Sequence, residues 1–299
     1  MAQLLERLPS GSRIAVIRLR SLGDCVLTTP ALALLKAHRP DLRIQVIVED
    51  RFAGVFQGNP DVDAILPPRI PPGRPELVLN LHGGTRSMAL MMASRGGIRA
   101  GFAHHAYSLL YTDRIPRAQE ILGVERKVHT AEHIASAMFW MGVPQTEIPR
   151  ARLAANDVVP SSYAVLHPFA SAPEKTWTAA GFLNVARYLK DQAALDPVFL
   201  AGPGDDANLF APFQVYRNAP LAQVKRLMAG ARLFIGNDSG PAHVAAAFGV
   251  PVVVLFGPSD PVTWAPWRTE AQVITSSGPI EQIKAEQVIA AAEALRVAA

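Results

Sequence analysis

The segment GNDSGPAH, residues 236–243, sets a corner of small and polar residues between two apolar runs. A strand-to-helix join needs one cap and at most one glycine. Asp238 or Ser239 supplies the cap here, and Pro241 suits a first helical turn. The same corner has a second use. The free amides and the positive dipole end of a helix N-terminus bind phosphate. Gly240 lets a diphosphate approach closely, and His243 falls on the first turn. A carboxylate at Asp238 would repel phosphate unless it holds a sugar hydroxyl. A plain capped turn and a phosphate cradle both fit these residues.

Three further stretches carry reactive types. In RLRSLGDCVLTTPAL, residues 18–32, Gly23 permits a tight turn, and Asp24 beyond it is either a general base or a helix cap. In HPFASAPEKTW, residues 167–177, Lys175 either neutralises a diphosphate or is solvated surface. In AGPGDDA, residues 201–207, Gly202, Gly204 and Ala207 fit the dinucleotide pattern G-x-G-x-x-A. That pattern wants an acidic residue about twenty positions on. No Asp or Glu occurs between Asp206 and Asp238, and Pro203 removes an amide from the turn. A nicotinamide oxidoreductase is therefore rejected, while Asp205 remains suited to a ribose hydroxyl.

These corners need elements to position them. Strand-length apolar runs occupy residues 13–19, 43–49, 63–67, 76–81 and 98–102. Helical patterns cover residues 30–38, 85–93 and 130–142. The alternation means βα units and a mostly parallel sheet. Residues 143–162 are proline-rich and poorly periodic, as an interdomain connection would be. A second series follows, with strands at 163–167, 197–202, 232–236, 251–256 and 271–275. Its helices fall at 179–190, 221–228, 240–248 and 281–295. The expected architecture is α/β: two Rossmann-like domains, residues 1–155 and 156–299, facing each other across a cleft. Such sheets bind ligands at the carboxyl ends of their strands.

Bulk properties narrow the classes. The chain has 299 residues, one cysteine and a net charge of +4. Cys25 alone excludes a disulfide framework and a cysteine-based zinc site, and fits a reducing cytosol. The longest apolar runs are too short to span a bilayer, and residues 1–19 lack the apolar core of a secretory signal. The mildly basic balance suits an acidic substrate or an anionic membrane surface. No Lys/Arg block is dense enough for a nucleic-acid partner.

RSLGD, NLHGGTRSMALMMASR, HPFASAPEKTW, AGPGDD and GNDSGPAHVAAAFGVPVVVLFGPSDP occur in this order. Together they resemble the bacterial ADP-heptose:lipopolysaccharide heptosyltransferases, glycosyltransferase family 9, from about residue 13 to residue 267. The resemblance implies the GT-B fold. It also implies that Asp24 is the catalytic base, that Lys175 contacts the donor phosphates and that Asp205 binds the ribose. Asp238 lies near the donor sugar, and Ser239, Gly240 and His243 form the phosphate-binding helix start. Arg20, Ser21 and Arg86 are the matching acceptor-side positions. Phe169, Ala170 and Ser171 depart from the family pattern on the donor side, as do Asn80 and His82 on the acceptor side.

The implied reaction is single-step inversion with an ADP-activated sugar as donor. The implied acceptor is an anionic glycolipid, lipid A bearing inner-core sugars, met by peripheral contact at the cytoplasmic face of the inner membrane. No cofactor or obligatory metal is expected, since cationic and dipolar groups can stabilise the departing diphosphate. The alternatives are a transferase using another nucleotide-activated sugar and a nucleotide-sugar-binding module without transfer activity.

Overall fold

The computed structural model describes residues 3–69, 73–158, 160 and 162–298. The chain divides into two compact units, Met1–Ala154 and Ala155–Ala299. Within the proline-rich connection at residues 143–162, Val159 and Ser161 lie outside the described residues.

The first unit carries strands β1 (Arg13–Ile17), β2 (Arg43–Ile47), β3 (Ala64–Leu66), β4 (Leu77–Asn80), β5 (Ile98–Phe102) and β6 (Asp113–Ile115). Its helices are α1 (Leu22–His38), α2 (Asp50–Ala53), α3 (Thr85–Ala93), α4 (Ala118–Leu122) and α5 (Thr130–Met141). The sheet is parallel, in the order β3-β2-β1-β4-β5-β6. Strands β1 and β4 are nearly all apolar and buried, as sheets covered on both faces require. Helix α1 packs against α5 beside them.

The second unit carries β7 (Tyr163–His167), β8 (Asp196–Ala201), β9 (Gln214–Arg217), β10 (Leu233–Asn237), β11 (Val252–Phe256) and β12 (Ala271–Thr275). Its helices are α6 (Ala179–Asp191), α7 (Leu221–Ala229), α8 (Gly240–Ala247), α9 (Pro261–Trp264) and α10 (Ala285–Ala298). The strand order is β12-β11-β10-β7-β8-β9, again parallel. Both sheets thus have the doubly wound order. The direction in which successive strands are added reverses between β1 and β4 in one and between β7 and β10 in the other. Each reversal opens a crevice at the carboxyl edge, where ligands of such sheets bind.

The largest difference from the sequence expectation is the start of α1. Pro30 looked like a helix start, yet the helix begins at Leu22 and Pro30 lies inside it. A proline there cannot donate to the carbonyl four residues back. The Thr29 hydroxyl donates to that carbonyl, Val26 O, at 2.8 Å instead. Gly23 is accordingly a helical residue and not a tight turn.

Candidate functional site

In the second unit, the crevice between β7 and β10 gathers most of the residues singled out on the donor side. Strand β10 ends at Asn237 and α8 begins at Gly240, so Asp238 and Ser239 form the corner. Strand β7 ends at His167, and the following loop reaches Lys175 through a short 3-10 helix, Pro173–Lys175. Lys175 Nζ donates to Asp238 Oδ2 at 3.3 Å. Asp238 therefore holds a cation at the helix start, an alternative to the sugar hydroxyl as the reason for a carboxylate there.

Ser239 occupies the N-cap position of α8, but its side chain makes no capping bond. Its Oγ is buried and has no hydrogen-bond partner. The capped-turn explanation therefore fails at the side-chain level. A buried hydroxyl without a partner costs about 1–3 kcal/mol, a cost relieved when a ligand supplies the missing bond. Two more polar atoms share this condition at the same edge, Asn237 Nδ2 and Ser259 Oγ. Asn237 Oδ1 accepts from the Trp177 amide at 3.1 Å and so anchors the lysine loop to β10. Ser259 follows β11, the neighbour of β10, where the Asp238 amide donates to Leu255 O at 2.9 Å.

Gly257 completes this edge. A Cβ there would run into the Glu174 carbonyl oxygen and lie 3.4 Å from Lys175 Cα. His243 is 5% exposed, in the first part of α8. Asp205 stands after β8, and its Oδ2 accepts from the Gly202 amide at 2.7 Å, closing the AGPGD turn. Phe169 packs edge-on to His167 and Phe210, so its departure from the family pattern is part of the unit's aromatic core.

In the first unit, the crevice between β1 and β4 holds Asp24. It sits in the first turn of α1, where Ser21 N and Ser21 Oγ donate to Asp24 Oδ2 at 3.3 and 3.0 Å. Asp24 Oδ1 accepts from Arg18 Nη1 at 3.2 Å. The cap function is thus real, and it uses one oxygen while the arginine orients the other. The carboxylate keeps 24% exposure against 9% for Arg18, so it is the member that a substrate can reach. Cys25, next to it, is buried, and burial pushes its thiol up to about 12, which makes it inert at neutral pH.

Of the acceptor-side positions, Arg20 and Ser21 are exposed at the start of α1. Arg86 lies on α3 and bonds Glu49 at 3.1 Å. His82 follows β4, and burial, then the charge of Arg18, lower its basicity while Asp24 opposes the shift. Around it stands a histidine group that the sequence did not single out. The His133 ring stacks on Phe102 at 4.1 Å between centroids, and His105 Nδ1 pairs with the Tyr111 hydroxyl at 2.7 Å. Among the described residues, no group of three or more His, Cys, Asp or Glu side chains could hold a metal ion. Nor is any helix among them long and apolar enough to cross a membrane.

Sequence reasoning missed Arg18, Asn237 and Ser259. Each lies at the carboxyl end of a strand or just beyond it, and GPSD after an apolar run was the available signal for Ser259.

The profile of Glycosyltransferase family 9 (heptosyltransferase) matches residues 73–292. The chain belongs to glycosyltransferase family 9. This family 9 glycosyltransferase is 25% identical to lipopolysaccharide heptosyltransferase 3 of Escherichia coli K12, over 91% of this chain and 95% of that protein. It is 24% identical to lipopolysaccharide heptosyltransferase 1 of Salmonella typhimurium LT2, over 83% and 89%. Among solved structures, a family 9 glycosyltransferase from Veillonella parvula superposes with a TM-score of 0.85 at 24% identity, covering 96% of this chain and 98% of that one. E. coli heptosyltransferase WaaC with ADP gives 0.80 at 19% identity, covering 95% and 99%. The shared fold is GT-B.

Proposed function

We propose that this family 9 glycosyltransferase moves a heptose from ADP-heptose to the inner core of lipopolysaccharide, with inversion at the anomeric carbon. The observation that carries the donor half is the Ser239 corner. An uncapped helix start, a buried hydroxyl without a partner and a lysine held by Asp238 make an anion site that a diphosphate completes. The adenosine and heptose parts of the donor rest on likeness, since one structural neighbour is WaaC with ADP and another is WaaC with ADP-2-deoxy-2-fluoro heptose. The lipopolysaccharide acceptor rests on the curated relatives.

In this reading Asp24 takes the proton from the acceptor hydroxyl as that oxygen bonds to the anomeric carbon. The bond from that carbon to the phosphate oxygen breaks, and ADP leaves with the electron pair. Lys175, the first-turn amides of α8, Ser239, Gly240 and His243 stabilise the charge that develops on the diphosphate. Asp205 holds the ribose. Arg20, Ser21 and Arg86 receive the acceptor on the first unit, which is the acceptor domain. The protein works at the cytoplasmic face of the inner membrane through peripheral contact.

Hydrogen exchange with ADP alone tests the donor half. Protection is expected at the amides of Ser239 and Gly240, with little change around Asp24. No protection of the corner at saturating ADP would remove the phosphate site. A screen of nucleotide sugars against a core glycolipid, read by product mass, then tests the sugar.

A further inference from the structure

The loop joining β5 to β6 in the first unit exposes apolar side chains at its tip. Leu109 is 84% exposed, and Tyr107 and Leu110 are each 43% exposed. Single exposed leucines are ordinary on soluble proteins, but three large apolar residues on one short loop are not. The tip is held in place. The Thr85 hydroxyl donates to the Tyr107 hydroxyl at 3.3 Å, and Arg99 Nε donates to the Leu110 carbonyl at 3.3 Å. The Leu110 amide donates to Tyr107 O at 3.1 Å, closing a short 3-10 helix, Ser108–Leu110. These bonds fix the backbone while the leucine side chains stay in solvent.

The chain that flanks this tip in sequence is one-sided in charge. Between His82 and Arg117 the chain has five arginines, at 86, 95, 99, 114 and 117, and one acidic residue, Asp113. Asp113 is paired with Arg7, and Arg86 with Glu49. That stretch alone carries the net excess of the whole chain, +4. Arg114 and Arg117 are exposed.

We propose that the Tyr107–Leu110 tip docks this unit onto an anionic lipid bilayer, with Leu109 and Leu110 entering the acyl boundary and Arg114 and Arg117 meeting the headgroups. Tyrosine suits the interface, where one end of the ring is apolar and the other wet. The arginines add attraction to anionic lipid. A second copy of the chain is a poorer occupant, because a two-fold contact would set this basic patch against itself. The docking surface rests on the reading of a lipid-borne acceptor, and it would bring the unit that carries Asp24 to that lipid.

Vesicle co-sedimentation of the full chain, without donor or acceptor, tests it. The vesicles are phosphatidylcholine alone, or phosphatidylcholine with about a third phosphatidylglycerol. Binding is expected only to the anionic vesicles. The double variant L109S/L110S should lose about tenfold or more in partition. R114A should lose about fivefold, the equivalent of about 1 kcal/mol per arginine near an anionic surface. All three side chains are exposed, and circular dichroism should show both variants folded. Equal binding to both vesicle types, or unchanged binding of L109S/L110S, would overturn the proposal. So would a dimer in light scattering that L109S/L110S splits. Because no sugar transfer is read, a failed donor or acceptor assignment leaves this result standing, and the reverse.

Discussion

Lys175 Nζ lies 3.3 Å from Asp238 Oδ2 and ties the loop after β7 to the end of β10. The Asp238 side chain is 9% exposed and the lysine 30%, so the carboxylate is the fixed member and the ammonium faces outward. A carboxylate beside an anion site weakens anion binding by repulsion. At the proposed diphosphate site it would also hold the lysine in place before the anion arrives, which reduces the ordering cost of binding.

Lys175→Ala should therefore weaken ADP more than adenosine. A charge-assisted hydrogen bond contributes about 1.5–3 kcal/mol, so ADP affinity should fall on the order of tenfold to a hundredfold. Adenosine affinity should change by much less. Calorimetry with both ligands reads the difference, and equal losses would mean that the lysine supports only the local fold.

Asp24→Asn should keep donor affinity and lower turnover by about two to four orders of magnitude, the usual contribution of a general base. The amide retains an oxygen for the Ser21 bonds that cap α1, so thermal stability should fall by no more than about 1 kcal/mol. Near-normal turnover on a core glycolipid would leave Asp24 with the cap alone.

The βα alternation was legible because buried parallel strands are continuous apolar runs, and Val252–Phe256 is one. The start of α1 was not, because a proline usually ends a helix, and only the Thr29 hydroxyl makes Pro30 tolerable inside one. Short edge strands such as Gln214–Arg217 carry too little apolar pattern to register. At the site, the polar corner was visible as a composition, but the lack of a capping bond at Ser239 is a fact of geometry. Arg18 was read as part of a strand end, and its pairing with Asp24 needs the turn between them. The histidines around Phe102 come from separate segments, so no local spacing announces them.

Gly257→Ala should damage the donor site from behind. The added methyl meets the Glu174 carbonyl, a backbone atom that cannot rotate away, so the loop carrying Lys175 must shift. Overpacking of this kind costs about 1–3 kcal/mol in stability. ADP affinity should drop along with Tm, while the turnover-linked chemistry of Asp24 on the first unit is untouched. An alanine variant with normal ADP affinity would show that the lysine loop adapts freely.

Protonation of the buried histidines should make the protein acid-sensitive well above the carboxylate range. Burial, with neighbouring His104 adding to it, holds His105 and His133 each down at about 4, against an ordinary 6.5. Arg18 opposes their protonation as well. Above 6.5 both rings are neutral in the folded and the unfolded chain, and their burial carries no proton penalty. As the pH falls from 6.5 towards 4, the unfolded chain binds protons that the folded one excludes, so stability falls through this window. With discount for partial solvent access, the two rings together account for on the order of 2–4 kcal/mol. The carboxylate of Glu132, lowered first by its bond to Arg126, is lost only below its ordinary 4.5, so it does not confuse the reading. Urea midpoints should decrease between about pH 7 and about pH 5. His133→Phe keeps a ring on Phe102 and removes one titration, so its midpoints should depend less on pH. If the wild-type midpoints are flat across this window, the two rings titrate normally and the histidine group is no acid-sensitive element.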